Sequence, residues 1–389
     1  MTGAGATLAS TVPDFARWAQ GGVGALRSYD PGHDIVALRR LAAGNRLLEL
    51  GSNESLLGPG PAARAAAAAA LADLQRYPDP LGKDLRGALA RGLGLGPDNI
   101  VLGNGSHELL MQVAQVFAGP DAGVAASQFG FAVYAIAAQA AGAPFAAAPA
   151  FGADAPMPRG HDLGTIGDAA AGARIVYLAN PNNPTGTWFS TSALDAFLTR
   201  VGPERLVVVD EAYIEYSTEP ELVSAVGLLA RHPNLLVMRT FSKAHGLAGL
   251  RVGYACGHAS LLAVLERVRE SFNVNAVGLA AAEAALGDAA HVQATCAANA
   301  IERDWLGAQL RGRGVVIGPS QTNFLLLDFG QDASPIEAAL MARDVVPRPM
   351  RGYGLPTCLR VTLGLRADNQ RFLVALDAAL DNGLGGIPT

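Results

Sequence analysis

The sequence lacks the features that several protein classes require. Only 16% of its residues are charged, the formal net charge is −5, and no long basic run occurs. A nucleic-acid surface is therefore not expected. The three cysteines, at 256, 296 and 358, are odd in number and lack metal-ligand spacing. That argues for no metal site and fits a reduced, cytoplasmic compartment. The nearest approach to a long hydrophobic run, residues 131–151, is mostly alanine and is broken by Gln139, Gly142 and Pro144. It reads as a soluble helix followed by a strand or loop, so no membrane span is expected. Residues 1–12 carry no basic stretch ahead of their apolar residues, so no secretory signal is expected either. There is no internal repeat, heptad array or long disordered linker.

What remains is a globular chain of 389 residues, half of them apolar. That length suits two domains or one large α/β unit. Continuous apolar runs at 174–178, 206–209 and 235–238 predict strands buried on both faces of a mostly parallel sheet. A short strand is expected at 47–50, and another at 100–102. Helices are expected at 62–74, where nearly every residue is a strong helix former, and at 82–92, 107–117, 192–200, 261–269, 277–290 and 291–311. After Gly312 the pattern changes to short strands at 315–316, 324–327 and 359–363, with helices at 335–343 and 369–381. The fold class expected is α/β. A large domain over 55–275 holds the mostly parallel sheet, and a smaller α+β domain combines 1–54 with 276–389.

Four of the apolar runs end in polar groups, and ligands of open parallel sheets bind beyond the carboxyl ends of the strands. After 235–238 comes Arg239-Thr240-Phe241-Ser242-Lys243, with Arg251 eight residues beyond the lysine. Hydroxyls and an arginine suit a bound phosphate, and a lysine among apolar residues suits a Schiff base. A solvated lysine in a loop is the alternative. After 100–102 comes Asn104-Gly105-Ser106-His107, whose turn opens a helix and could hold an anion, or could be an ordinary turn. After 174–178 comes Asn180-Pro181-Asn182-Asn183-Pro184, in which Asn183 can present its amide to a ring oxygen. After 206–209 comes Asp210-Glu211-Ala212-Tyr213. An acid at the mouth of an apolar strand needs a cationic or hydrogen-bonding partner such as a protonated pyridine nitrogen, unless it caps a helix. Phe131 could stack on a flat cofactor or lie in the core. Leu359, Val361 and Leu363 alternate with Arg360, which turns the guanidinium to the other face, where an anion would use it. Arg348 could bind a second anion or form a rim salt bridge.

Taken together, and over almost the whole chain from Tyr29 to about Leu380, these strings resemble the fold-type I pyridoxal-phosphate aminotransferases, and among them the histidinol-phosphate group. The resemblance implies pyridoxal 5'-phosphate held through Lys243, which also moves the proton of the reaction. It implies Asp210 on the ring nitrogen, Asn183 and Tyr213 on the phenolic oxygen, and Phe131 against the ring. Gly105, Ser106, His107, Thr240, Ser242 and Arg251 would hold the phosphate, joined by Tyr77 of a second subunit in a homodimer with shared sites. Arg360 matches the carboxylate-binding arginine, while Tyr29, Asn53, Asn323 and Arg348 match substrate-side positions. The string 269–275, Arg-Glu-Ser-Phe-Asn-Val-Asn, also resembles that group. His107 stands where Asp or Asn is usual, Ser28 where Pro is common, and Asn53-Glu54-Ser55-Leu56 replaces Asn-Glu-Asn-Pro. These departures bear on the amino donor and leave the lysine and aspartate untouched. The expected reaction is transamination between an amino donor, foremost L-histidinol phosphate, and a 2-oxo acid. An aromatic or broad aminotransferase is the alternative, a phospho-amino-acid decarboxylase is more distant, and a non-catalytic regulator has no spare length for a DNA-binding appendage.

Overall fold

Residues buried on alternate faces of the same strands explain why the long apolar runs form a sheet. The structure, a computed structural model, describes residues 14–30, 32–42 and 47–381. Residues 1–13, Pro31, 43–46 and the C-terminal stretch 382–389 of the expected smaller domain lie outside the described residues. The first part of the chain contains α1 (Ile35–Leu41), β1 (Leu48–Glu49), α2 (Pro61–Ala70), α3 (Lys83–Leu93), β2 (Ile100–Gly103), α4 (Ser106–Phe117) and β3 (Gly123–Ser127). Next come α5 (Val133–Ala140), β4 (Phe145–Ala148), α6 (Leu163–Ala169), β5 (Ala173–Ala179), α7 (Thr191–Val201), β6 (Leu206–Asp210), β7 (Leu235–Thr240) and β8 (Gly253–Gly257). The remainder comprises α8 (Ala259–Leu265), α9 (Ala276–Gly287), α10 (Ala289–Arg311), β9 (Val316–Ile317), β10 (Phe324–Asp328), α11 (Ser334–Met341), β11 (Val345–Val346), β12 (Arg348–Pro349), β13 (Cys358–Thr362) and α12 (Arg366–Ala379).

Seven strands form the central sheet in the order β2-β8-β7-β6-β5-β3-β4. Every adjacent pair is parallel except those made by β8, which runs antiparallel to β2 and β7. Val176, Leu178, Val207, Val209, Leu235 and Val237 enter the core on one face of the sheet. Ile175, Tyr177, Leu206, Val208, Leu236 and Met238 enter the core on the other. Burying a Val or Leu completely contributes about 1.5–3 kcal/mol. With helices on both faces, neither set of alternate positions could be polar at low cost. The expected strands at 174–178, 206–209 and 235–238 fall within β5, β6 and β7. Strands β3, β4 and β8 carry no comparable sequence signal, because Gly-Val-Ala-Ala-Ser, Phe-Ala-Ala-Ala and Gly-Tyr-Ala-Cys-Gly have little β-branched character. Tertiary pairing makes them strands.

A second sheet, β12-β13-β10-β9, is antiparallel, and β1 pairs in parallel with β11. Leu48 and Leu50 join Leu325, Leu327, Val361, Leu363 and Phe372 in one core, so the early segment folds onto the C-terminal unit. Asp288 separates the two late helices: its side chain accepts from the His291 N–H at 3.3 Å as the N-cap of α10. The helix expected over 277–290 therefore stops at Gly287. Helix α9 packs Ala281, Ala282 and Ala285 with Ala63, Leu85 and Leu89, in the core on one face of the central sheet.

The loop that carries Lys243 is braced by a backbone contact. Gly246 has φ +71°, and a Cβ there would lie 2.3 Å from the Gly58 carbonyl carbon and oxygen and 2.6 Å from the Pro59 nitrogen. Only glycine fits both the left-handed backbone and that approach. Gly246→Ala should destabilise the protein by on the order of 1–3 kcal/mol. Gly249→Ala, with no atom within 4 Å of its Cβ, serves as the control. Denaturant midpoints of the two variants test this, and equal midpoints would refute the brace.

Candidate active site

Strands β2, β5, β6 and β7 all end at one cleft, because parallel strands put their carboxyl ends on the same edge of the sheet. Its cavity of about 250 Å³ is lined by Tyr29, Asn53, Ser106, His107, Phe131, Asn183, Asp210, Tyr213, Thr240, Ser242, Lys243, Arg251, Arg348 and Arg360. Each of these was a candidate from sequence; Gly51, Ser52, Ala179, Pro181 and Ala212 complete the lining and were not.

At one end the turn after β2 leads into α4. Gly105 has φ +79° and no side chain, so no side-chain group caps the first N–H groups of the helix. Its missing Cβ makes room for Arg251, whose Nη2 would lie 2.3 Å from such an atom. The Arg251 guanidinium donates to Ser242 Oγ at 3.3 Å and to the Ala248 carbonyl at 3.1 Å. The backbone N–H of Ser242 donates to Thr240 Oγ1 at 3.1 Å. Free helix-terminal N–H groups, the Ser242 hydroxyl and a guanidinium therefore face one small volume, a donor set suited to a phosphate, while the Thr240 hydroxyl donates to the Val252 carbonyl at 3.3 Å. His107 sits beside it. Burial, then the charge of Arg251, lowers its pKa, so at neutral pH it is an uncharged ring.

Asp210 lies at the centre and is buried. Its Oδ2 accepts from the Tyr134 hydroxyl at 3.2 Å and its Oδ1 from the Ala212 N–H at 3.2 Å. Burial raises its pKa to about 6, opposed by those two donors and by Lys243. On the far side the Lys243 amine donates to the carbonyls of Ser52 at 3.2 Å and Asn53 at 3.0 Å. Burial first, then the positive charges of Arg360 and Arg251, lowers its pKa to about 7, with Glu54 acting in the other direction. Tyr213 accepts from Asn53 Nδ2 at 2.9 Å, which leaves its own hydroxyl hydrogen free to donate into the cleft.

Arg348 and Arg360 are cross-strand partners on β12 and β13, so their side chains emerge on one face. Arg360 donates to Asn183 Oδ1 at 2.5 Å and to the Gly51 carbonyl at 2.7 Å, while its Nε is buried without a partner. Asn183 therefore spends its oxygen on Arg360 and keeps its NH₂ for a ligand. Arg348 donates from Nη2 to the Asp30 carbonyl and leaves a buried Nη1 unpartnered.

Three sequence candidates do not line the cavity. Gly105 backs it through Arg251. Asn323 stands behind it, donating to the carbonyls of Asn53 at 3.1 Å and Glu54 at 3.0 Å, and so holds the segment that receives the lysine. Tyr77 is 83% exposed and stacks on Phe272 with ring centres 4.6 Å apart, away from this cleft. Sequence reasoning missed the roles of Gly51 and Ser52, whose backbone carbonyls do the work and leave no side-chain signal. It also missed Tyr134, which lies one helical turn beyond Phe131, a spacing that could have revealed it.

Residues 45–376 match the family described as aminotransferase class I and II. The chain belongs to this family. It is 45% identical to histidinol-phosphate aminotransferase 2 of Pseudomonas aeruginosa, over 94% of this chain and 99% of that protein. It is 43% identical to histidinol-phosphate aminotransferase 1 of Thiobacillus denitrificans, over 100% and 98% respectively. Among solved structures it resembles the histidinol-phosphate aminotransferase from Sinorhizobium meliloti in complex with pyridoxal-5'-phosphate. That match has a TM-score of 0.85 at 30% identity, covering 93% of this chain and 97% of the other. The fold is accordingly that of the fold-type I aminotransferases, and this chain is an aminotransferase.

The shifted lysine has a measurable consequence. Between about 7 and the ordinary 10.5, the unfolded chain holds a proton that folded Lys243 has released. Stability of this aminotransferase without cofactor should therefore rise with pH across that window. Lys243→Met should flatten the rise, as read from urea midpoints on either side of it. An unchanged slope would mean that the amine titrates normally.

Proposed function

We propose that this aminotransferase moves the amino group of L-histidinol phosphate to 2-oxoglutarate, a step of histidine biosynthesis, with pyridoxal 5'-phosphate bound in the cleft. The observation that carries the proposal is the pairing of a near-neutral Lys243 amine with a buried Asp210 carboxylate across one cavity, beside a ready phosphate cradle. The fit is physical: the Gly105 turn, whose side a Cβ would close, and an acid that among the described residues accepts hydrogen bonds from neutral donors alone suit a flat anionic cofactor with a basic ring nitrogen. Identities of 41–45% to relatives named histidinol-phosphate aminotransferase support the choice of substrate.

In this reading Gly105, Ser106, His107, Thr240, Ser242 and Arg251 hold the cofactor phosphate. Asp210 faces its ring nitrogen, Phe131 covers the ring, and Asn183 Nδ2 and the Tyr213 hydroxyl donate to its phenolic oxygen. Bound there, pyridoxal phosphate supplies an electron sink for the carbon that loses its proton. Lys243 Nζ takes that proton from the substrate carbon and returns it, a task that suits an amine with a pKa near 7. Arg360 receives the carboxylate of the 2-oxo acid. Arg348, with Tyr29 and Asn53 lining the same cavity, receives the phosphate of the donor through its free Nη1, while Asn323 holds the Asn53 carbonyl from behind. A homodimer completes the proposal, with exposed Tyr77 reaching the phosphate of a second subunit. Residues 55–275 form the cofactor domain and 1–54 with 276–389 the smaller one, while the packing of α9 on Ala63, Leu85 and Leu89 supports carrying the first on to 287. The three free thiols fit a reduced cytoplasmic setting, and no described helix is long and apolar enough to cross a membrane.

The chain has only two lysines, Lys83 and Lys243, which sharpens the test. Purified protein should be yellow, and borohydride should fix the cofactor on the peptide containing Lys243. A colourless protein that ignores added pyridoxal phosphate would end the reading. Arg348→Ala should lower kcat/KM for L-histidinol phosphate by roughly 10- to 100-fold, since a hydrogen bond to a charged group is worth about 1.5–3 kcal/mol. Phenylalanine should be affected by less than about threefold. Equal losses on both donors would favour a broad or aromatic specificity.

A further inference from the structure

Among the described residues, Tyr134 is the one side chain that donates a hydrogen bond to Asp210. It is nearly inaccessible to solvent, and two aromatic rings hold its own. It stacks face to face on Tyr177, with centres 4.8 Å apart and planes within 4°. It meets Phe131 edge-on at 5.9 Å. Tyr177 is itself tied down, donating its hydroxyl to the Leu110 carbonyl at 2.9 Å. A phenol so confined cannot turn away from the carboxylate. Burial and the neighbouring Asp210 push its pKa well above the ordinary value, so it stays a protonated donor.

We propose that Tyr134 is a positioning residue for Asp210: its phenol grips Oδ2 so that the carboxylate meets the cofactor ring nitrogen as an anion in one orientation. The chain of contact runs from the Leu110 carbonyl on α4 through Tyr177 on β5 and Tyr134 on α5 to Asp210 at the end of β6. Phe131, which precedes Tyr134 by one turn, shares the arrangement: the Tyr134 N–H donates to the Phe131 carbonyl at 3.0 Å. One short segment thereby sets both the plate over the ring and the acid at its edge. Two neutral donors, the Tyr134 hydroxyl and the Ala212 N–H, oppose the effect of burial on Asp210. The other titratable groups facing Asp210 are Lys243, beyond β7, and Tyr213, beyond β6. Neither of them hydrogen-bonds to the carboxylate, so the orientation falls to Tyr134. This inference rests on the cofactor reading above.

Tyr134→Phe keeps the ring and deletes the donor, while Tyr177→Phe keeps the stack, removes only its tie to the Leu110 carbonyl and should have the smaller effect. Pyridoxal phosphate retention by Tyr134→Phe should weaken roughly ten-fold, equal to about 1.4 kcal/mol. kcat should fall while KM for both substrates changes little. A second readout needs no cofactor. Folded Asp210 titrates near 6 against an ordinary 3.8, so it holds a proton that the unfolded chain releases, and stability falls as pH rises across that window. In Tyr134→Phe the fall should extend to higher pH. In an Asp210→Asn background the substitution should have little further effect on either readout. Retention within about twofold of the parent and an unmoved pH limb overturn the proposal. So does an equal effect of Tyr177→Phe, or an undiminished effect in Asp210→Asn. Should Tyr134→Phe not fold, fluorotyrosine at 134, a stronger donor of nearly the same shape, should tighten retention and pull the limb to lower pH; no shift overturns the proposal. A moved limb in a protein that takes up no pyridoxal phosphate would separate failure of the cofactor reading from failure of this one.

Discussion

The site depends on charge kept out of water without being neutralised by its nearest opposite. Asp210 is complemented by a phenol and a peptide N–H, and Lys243 by two peptide carbonyls. Neither partner set carries a full charge, so burial dominates and moves both groups toward neutrality, the acid upward and the amine downward. Had the two been placed as a direct ion pair, each would have stabilised the other's charged form, and the amine would have kept its proton near neutral pH. Instead the Lys243 amine is turned to the Ser52 and Asn53 carbonyls, and Asp210 to Tyr134 and the Ala212 N–H.

A second constraint is the backbone of residues 51–54. Its carbonyls receive Arg360 at Gly51, Lys243 at Ser52 and Asn53, and Asn323 at Asn53 and Glu54. Asn53 adds a side-chain bond to Tyr213. It also sits at φ +55°, a left-handed backbone that Asn tolerates better than most residues. This segment is where the C-terminal unit, to which β1 belongs, meets the lysine loop of the central sheet. The Arg360 guanidinium and the Lys243 amine are thus held to one short stretch of backbone.

Arg348 and Arg360 show the same logic in the second sheet. Two guanidiniums opposite each other on antiparallel strands repel, and each donates to neutral acceptors, the Asp30 carbonyl for one and Asn183 Oδ1 with the Gly51 carbonyl for the other. Each still keeps a buried nitrogen without a partner. Such donors are costly unless something anionic is meant to meet them. In the proposed function both nitrogens receive acidic substrate groups.

Much of this was readable from the amino-acid order. Residues whose chemistry lives in their own side chain, such as Lys243, Asp210, Tyr213 and Arg251, announced themselves because each followed an apolar run or a glycine turn, where a polar side chain is costly unless a partner meets it. The double burial of β5, β6 and β7 was equally plain from uninterrupted Val and Leu. Tertiary structure alone decided the rest. Strands β3 and β8 are built of small residues that propensity does not favour, and they are strands because their neighbours supply hydrogen bonds and cover. Asn323 and the carbonyls of Gly51 and Ser52 matter through contacts hundreds of residues apart in sequence, and a peptide carbonyl looks alike at every position. Tyr134 reads as a core aromatic in an alanine-rich helix until Asp210 is found 3.2 Å from its hydroxyl. Sequence determined which groups carry charge and which runs are buried; folding decided which of those charges meet, because distance and desolvation are properties of the packed chain.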